Sequence, residues 1–192
     1  MERCRLDSVA ECRLDTLAGC ELVIAGYPRF TYNATGGCAP GECNPSAGGA
    51  LELRFAHEQT TIPPLHWRTT RFLGLPLPPG LSIAIQPEAL SGSVDAQSGE
   101  VTLHFRSRFR FQLSAAGARI YQAADLLVDT QLTTERISSR RHQRQGRRLD
   151  GDSRGVLVGT ALIQPCGEAW LDRFLGLPDE ALAVLDCRLA LP

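Results

Sequence analysis

Residues 81 to 113, LSIAIQPEALSGSVDAQSGEVTLHFRSRFRFQL, carry the clearest structural signal in the chain and read as two or three strands folded through a tight turn. From Val101 onward the side chains alternate. Val101, Leu103, Phe105, Phe109, Phe111 and Leu113 fall on one face, and His104, Arg106, Arg108, Arg110 and Gln112 on the other. A repeat of two suits a β-strand and not a helix. The segment from Asp95 to Gly99 supplies a turn, with glycine where a positive φ is wanted, and Val94 begins the partner strand. The rest of the chain is expected to close over this aromatic face.

Working outward, Leu51, Leu53 and Phe55 alternate with Glu52 and Arg54, and Leu126, Val128, Thr130 and Leu132 share one face of a strand within residues 121 to 134. Residues 155 to 163, GVLVGTALI, are almost uniformly apolar and are expected to be buried on both sides. Residues 20 to 31 form a first strand interrupted by Gly26 and Pro28, and the chain ends in a strand from Ala183 to Leu191. Residues 36 to 49, rich in Gly, Pro, Asn and Ser, read as a long loop. The expectation is an all-β domain over residues 20 to 192, of about eight to ten antiparallel strands in a sandwich or partly closed barrel. Residues 1 to 19 form a short N-terminal helix in this reading, with Leu6, Val9, Ala10, Leu14 and Leu17 as its inner stripe.

Composition excludes several function classes. The chain has 192 residues, 43% of them hydrophobic, and a formal charge of -1, so nothing global draws it to nucleic acid or an anionic membrane. All 20 basic residues are arginine, which excludes a Schiff-base lysine, a phosphate-loop lysine and a lysine general base. No run approaches the roughly 18 apolar residues of a membrane span. The first residues carry acids where an export signal has an apolar core, so a cytoplasmic or stromal setting is expected.

Seven cysteines, an odd number, argue against a disulfide framework. Cys4, Cys12 and Cys20 recur every eight residues, which on a helix drifts by about 80° and cannot bring three thiols to one metal. Cys38 and Cys43, in the Gly/Pro-rich segment, are a candidate redox or metal pair, although no second pair of matching spacing exists to complete a zinc or cluster site. His57, His66, His104 and His142 show no metal-binding spacing, and no serine sits in a nucleophile elbow. No catalytic residue, metal or cofactor is implied, and a non-enzymatic role is favoured over an enzyme using the Cys38–Cys43 segment.

A hexapeptide recurs letter for letter: RFLGLP at residues 71 to 76 and again at 173 to 178, each with a proline (Pro63, Pro165) and a tryptophan (Trp67, Trp170) upstream. One reading is a structural loop that buries Phe and Leu, turns at Gly and is stiffened by Pro before a strand. The other is a paired apolar lip, in which Phe72, Leu73, Leu75 and Phe174, Leu175, Leu177 meet an apolar ligand or a protein partner. Arg106, Arg108 and Arg110 would stand about 6.7 Å apart on one strand face, suiting either an anionic partner or carboxylates of a neighbouring strand. Six arginines between 136 and 148 read as a solvated connection, and the absence of aromatics among them argues against nucleic acid.

The segments FLGLPLPPGLSIAI, LSGSVDAQSGEVTLHFRSRFRF, LLVDTQLTTE and RGVLVGTALI together resemble a family of cyanobacterial and chloroplast proteins, over about residues 60 to 190. The resemblance implies a setting in photosynthetic cells and carries over no activity and no catalytic residues.

Overall fold

The computed structural model describes residues 10 to 192. The strands in chain order are β1 (Ala10–Thr16), β2 (Cys20–Ile24), β3 (Phe30–Tyr32), β4 (Cys38–Pro45), β5 (Ala50–Phe55) and β6 (Leu65–His66). Next come β7 (Thr70–Phe72), β8 (Leu75–Pro76), β9 (Leu81–Asp95), β10 (Glu100–Ala115), β11 (Ala118–Gln122) and β12 (Leu126–Thr133). The chain finishes with β13 (Arg136–Ser138), β14 (Gln143–Gln145), β15 (Arg154–Ile163), the helix α1 (Ala169–Leu175) and β16 (Asp179–Ala190).

β9 and β10 form the long hairpin that the alternation predicts, paired from Glu100↔Asp95 to Leu113↔Leu81. Its turn is held by Asp95, whose carboxylate accepts the amides of Gln97 at 2.8 Å and Ser98 at 3.1 Å. From this hairpin the sheet runs β1-β4-β5-β9-β10-β12-β15-β16, and β16 returns to pair with β1. The result is a closed antiparallel barrel of eight staves, which settles the choice between sandwich and barrel.

The wall is built differently at its two ends. Residues 187 to 190 of β16 pair with β1, whereas residues 181 to 184 pair with β2, which leads on to β3, β7 and β8. Likewise β9 takes β5 along residues 91 to 95 and β6 at residues 82 and 83. The end bounded by β1, β4 and β5 is densely filled by Leu14, Leu53, Val94, Val101, Leu103 and Leu189. At the other end α1 tucks Leu171 and Leu175 against Ala123, Leu126 and Ile163.

Two expectations are corrected. Residues 10 to 16 are a strand and not part of an N-terminal helix: Cys12 and Leu14 are buried while Glu11 and Arg13 are exposed, a repeat of two that the helically spaced leucines obscured. The helical reading of residues 1 to 9 lies outside the described residues, and the α-helix that is present stands near the C-terminus. The long loop at 36 to 49 is mostly β4, hydrogen-bonded to both β1 and β5. The arginine-rich connection keeps most of its arginines exposed. It folds as the β13–β14 hairpin over the outer face of β15 and β16, so that Ile137 covers Val156, Val158, Leu182 and Val184. The cover buries the outer face of β15 only in part: Val158 is buried and Val156 half-buried, whereas Leu162 is 57% exposed, so the expected burial on both sides does not hold along the whole strand.

Closing a small barrel requires strongly coiled strands, and glycines mark where strands press together. A Cβ on Gly92 would stand 2.0 Å from the Thr102 carbonyl oxygen, and one on Gly159 2.5 Å from that of Gln131. Gly92→Ala is therefore expected to destabilise the protein by about 2 kcal/mol or more, measured by denaturant unfolding. A change within about 0.5 kcal/mol, the usual range for surface substitutions, would show that the strands are not pressed together at this point.

Candidate functional site

The inward positions of the half of the barrel nearest α1 do not fill it. Large side chains come from β9 and β10 (Ile83, Ile85, Phe105, Phe109, Phe111), and they face small ones from β15 and β16: Gly159, Ala161, Ala181 and Ala183. The mismatch leaves a hollow of about 420 Å³. Protein interiors carry few voids larger than a water molecule, so a space of this size is a pocket and not a packing flaw. Along β10 the change is visible residue by residue: Val101 and Leu103 are buried, whereas Phe105, Phe109 and Phe111, on the same face, are only half-buried because they border the hollow.

The lining is largely apolar, and most of its hydroxyls are already engaged. Thr16 donates to the Ala34 carbonyl at 2.7 Å, Thr60 to Ala56 at 2.9 Å and Thr130 to Thr160 at 2.8 Å. Tyr32 donates to the Pro63 carbonyl, and burial pushes its phenol far above the ordinary range. Among the described residues no Asp, Glu, Arg or His lines the space. The polar groups on this wall are few, Cys38, Tyr27, Tyr32 and the threonines, and the rest offers shape and surface suited to a hydrocarbon-like guest.

The two RFLGLP copies meet at the mouth, although they fold differently. In the first, β7 turns at Leu73 and Gly74 into β8; in the second, α1 ends at Gly176, in the left-handed conformation, before Pro178 leads into β16. A shared structural device therefore reduces to a shared glycine turn, with φ of +79° at Gly74 and +70° at Gly176. Tyr27 joins them. Its ring lies 6.5 Å from that of Phe72 and 5.7 Å from that of Phe174, and its hydroxyl donates to the Phe174 carbonyl. Phe72, stacked on Phe30 at 4.6 Å, lines the cavity together with Phe174 and Leu175. Leu177 packs beside Leu126 and Ile163, while Leu73 (69% exposed), Leu75 (70%) and Phe174 (57%) project from the rim. Nothing in the sequence around Tyr27 marked it as the link, since its contacts lie far along the chain.

The remaining candidates lie outside the cavity or apart from each other. Arg106, Arg108 and Arg110 stand on the outer wall and are matched by carboxylates. A bulge sets Glu88 between Ala89, opposite Arg106, and Pro87, opposite Ser107, and the extra residue takes both Arg106, at 3.1 Å, and Arg108. Arg110 holds Asp125 through two hydrogen bonds of 2.6 Å. The hydrogen bond from Arg108 holds the Glu88 carboxyl below its usual range, and that from Arg110 does the same for Asp125. The other arginine cluster clasps the wall as well: Arg141 reaches Asp179 at 2.7 Å, and Arg148 reaches Glu135 at 2.7 Å and Glu100 at 3.0 Å.

Cys38 and Cys43 lie five apart on a strand, which sends them to opposite faces. Cys43 is buried inside the barrel beside Cys12, and Cys38 is half-buried at the cavity edge. Burial, then the neighbouring Cys43, pushes the Cys12 thiol up to about 11, and burial pushes Cys20 to about 11 and Cys187 to about 12. These thiols stay protonated at neutral pH and behave as small apolar groups. Among the described residues there is no group of three metal-ligating side chains, and no helix is long and apolar enough to cross a membrane. Comparison with protein-family models, curated proteins and solved structures finds no match to this chain.

Two outcomes are expected from this arrangement. Ser107, on the inward face of β10 between Phe105 and Phe109, is fully buried with no partner for its hydroxyl. Ser107→Ala should therefore raise stability by about 1 kcal/mol, read by chemical denaturation; a loss of that size would show that the hydroxyl has a partner. The pH dependence follows from the carboxylates. Glu88, Asp125 and Asp179 all titrate below their ordinary range, so they favour the folded state above about pH 4 and lose that contribution as the pH falls below it. Unfolding curves should superimpose from pH 6 to pH 8 and shift to lower denaturant in acid.

Proposed function

We propose that this chain is a non-enzymatic binding protein that holds an apolar molecule, of lipid or pigment class, inside its barrel. The hollow of about 420 Å³, with most of its lining hydroxyls turned to backbone carbonyls, is the observation that carries the reading. A protein selected for stability alone would fill such a space, since larger residues at Ala181 or Ala183 would point straight into it. The resemblance to cyanobacterial and chloroplast proteins makes a hydrophobic guest of photosynthetic cells the natural class to test.

The test is titration with N-phenyl-1-naphthylamine, a neutral fluorophore that brightens in apolar surroundings. The probe should bind the protein with a negative heat-capacity change, and Ala183→Phe should weaken binding at least about tenfold, a cost of 1.4 kcal/mol or more, without lowering the melting temperature. Failure of the probe to bind, or equal binding by the Ala183→Phe variant, would place the guest elsewhere or remove it. Native mass spectrometry of protein taken from its own cells would then show the natural occupant.

A further inference from the structure

The rim of the cavity differs from the rest of the surface. Leu73 and Leu75 project from the β7–β8 turn, and Trp170 and Phe174, one helical turn apart, project from α1. Tyr27, touching Phe72 and Phe174, joins the β7–β8 turn and Phe174 in one apolar patch that continues into the cavity, while Trp170 rests on Tyr121 one helical turn away. Each copy of the hexapeptide begins with an exposed arginine, Arg71 and Arg173. Among the described residues neither of these two has a carboxylate within ion-pair distance, a property they share with Arg68, Arg119, Arg136, Arg154 and Arg188, but only these two flank the apolar rim through the repeated hexapeptide. The nearby acids are occupied: Asp172 accepts the amides of Cys166 and Gly167, and Asp179 accepts Arg141. Half-buried Glu168, at the start of α1, is the remaining carboxylate of that helix.

The turn itself is at odds with its sequence. Leu73 and Gly74 both have positive φ, +52° and +79°, in a two-residue hairpin loop, where asparagine or glycine is the residue favoured at the first position. A leucine there is strained and exposed at once, so it serves neither the backbone nor the core.

We propose that this rim docks on an anionic lipid surface, the leucines and aromatic rings entering the headgroup boundary while Arg71 and Arg173 meet lipid phosphates. Exposed apolar side chains flanked by unpaired cations are the composition that binds such an interface. The orientation sets the cavity mouth against the bilayer, so an apolar guest can pass between membrane and barrel without crossing water. This role rests on the cavity reading; the docking itself does not.

The experiment is flotation of the full chain with vesicles of phosphatidylcholine, with or without phosphatidylglycerol. The protein should float with the anionic vesicles at low salt, and less at high salt, where the Debye length is short. Arg71→Gln and Arg173→Gln should each weaken partitioning about fivefold. Leu73→Asn should weaken it further while the melting temperature holds or rises, because asparagine tolerates the left-handed turn. Absence of flotation at low salt, or equal flotation by Leu73→Asn and the double arginine variant, overturns the proposal. So does a dimer in sedimentation that Leu73→Asn dissolves without any vesicle binding, since the rim would then join two copies of the chain. Binding of the naphthylamine probe in vesicle-free solution is scored separately: if it persists while flotation fails, the cavity stands and the docking falls.

Discussion

β1 is hydrogen-bonded along both of its edges, to β16 on one side and β4 on the other, and the barrel exists because of that double pairing. Without it, β16 and β4 would each present an open edge, the condition that β-proteins avoid most consistently. Closure also fixes the inside. Once the ring is shut, every stave has one face that cannot reach water, and the alternation along β9 and β10 decides which residues occupy it. The hairpin's aromatic face and the N-terminal strand are thus two halves of one constraint, since the first supplies what must be enclosed and the second completes the enclosure.

Enclosure and filling are separate matters, and this chain treats them differently at its two ends. Where β1, β4 and β5 complete the wall, leucines and valines interlock and little space remains. Toward α1 the staves carry alanine and glycine opposite phenylalanine and isoleucine, and space does remain. The dense end carries the interlocked core, so the fold does not depend on filling the hollow end. The arginines serve the outside of this division. More than half of the described arginines find a carboxylate, so a chain without lysine still sets short, directional ion pairs on its surface.

How much of this could be read beforehand depended on how local each signal was. The faces of β10 and β12 were legible because a repeat of two is written in consecutive residues and needs no partner to be recognised. β1 carries the same repeat, but Leu6, Val9, Ala10, Leu14 and Leu17 also fit a helical stripe, and only the hydrogen bonds from β4 and β16 select between them. β4 was hidden by composition: glycine and proline suggest a loop, yet Gly41 is needed where a Cβ would fall 2.5 Å from the Arg54 carbonyl oxygen. The repeated hexapeptide was visible and its position at one mouth was not, because the contact through Tyr27 spans 147 residues of sequence to Phe174. Carboxylate partners for the arginine stripe were among the readings of the sequence, but the bulge that gives Glu88 to two of them leaves no mark in the sequence itself.

The Tyr27 bridge has a mechanical consequence. One phenol is latched to the carbonyl of Phe174 while its ring leans on Phe72, so the strand-borne and helix-borne sides of the opening share a single fastening. Parting Tyr27 from its neighbours would therefore loosen both sides of the rim together, because neither side has a fastening to this ring independent of the other.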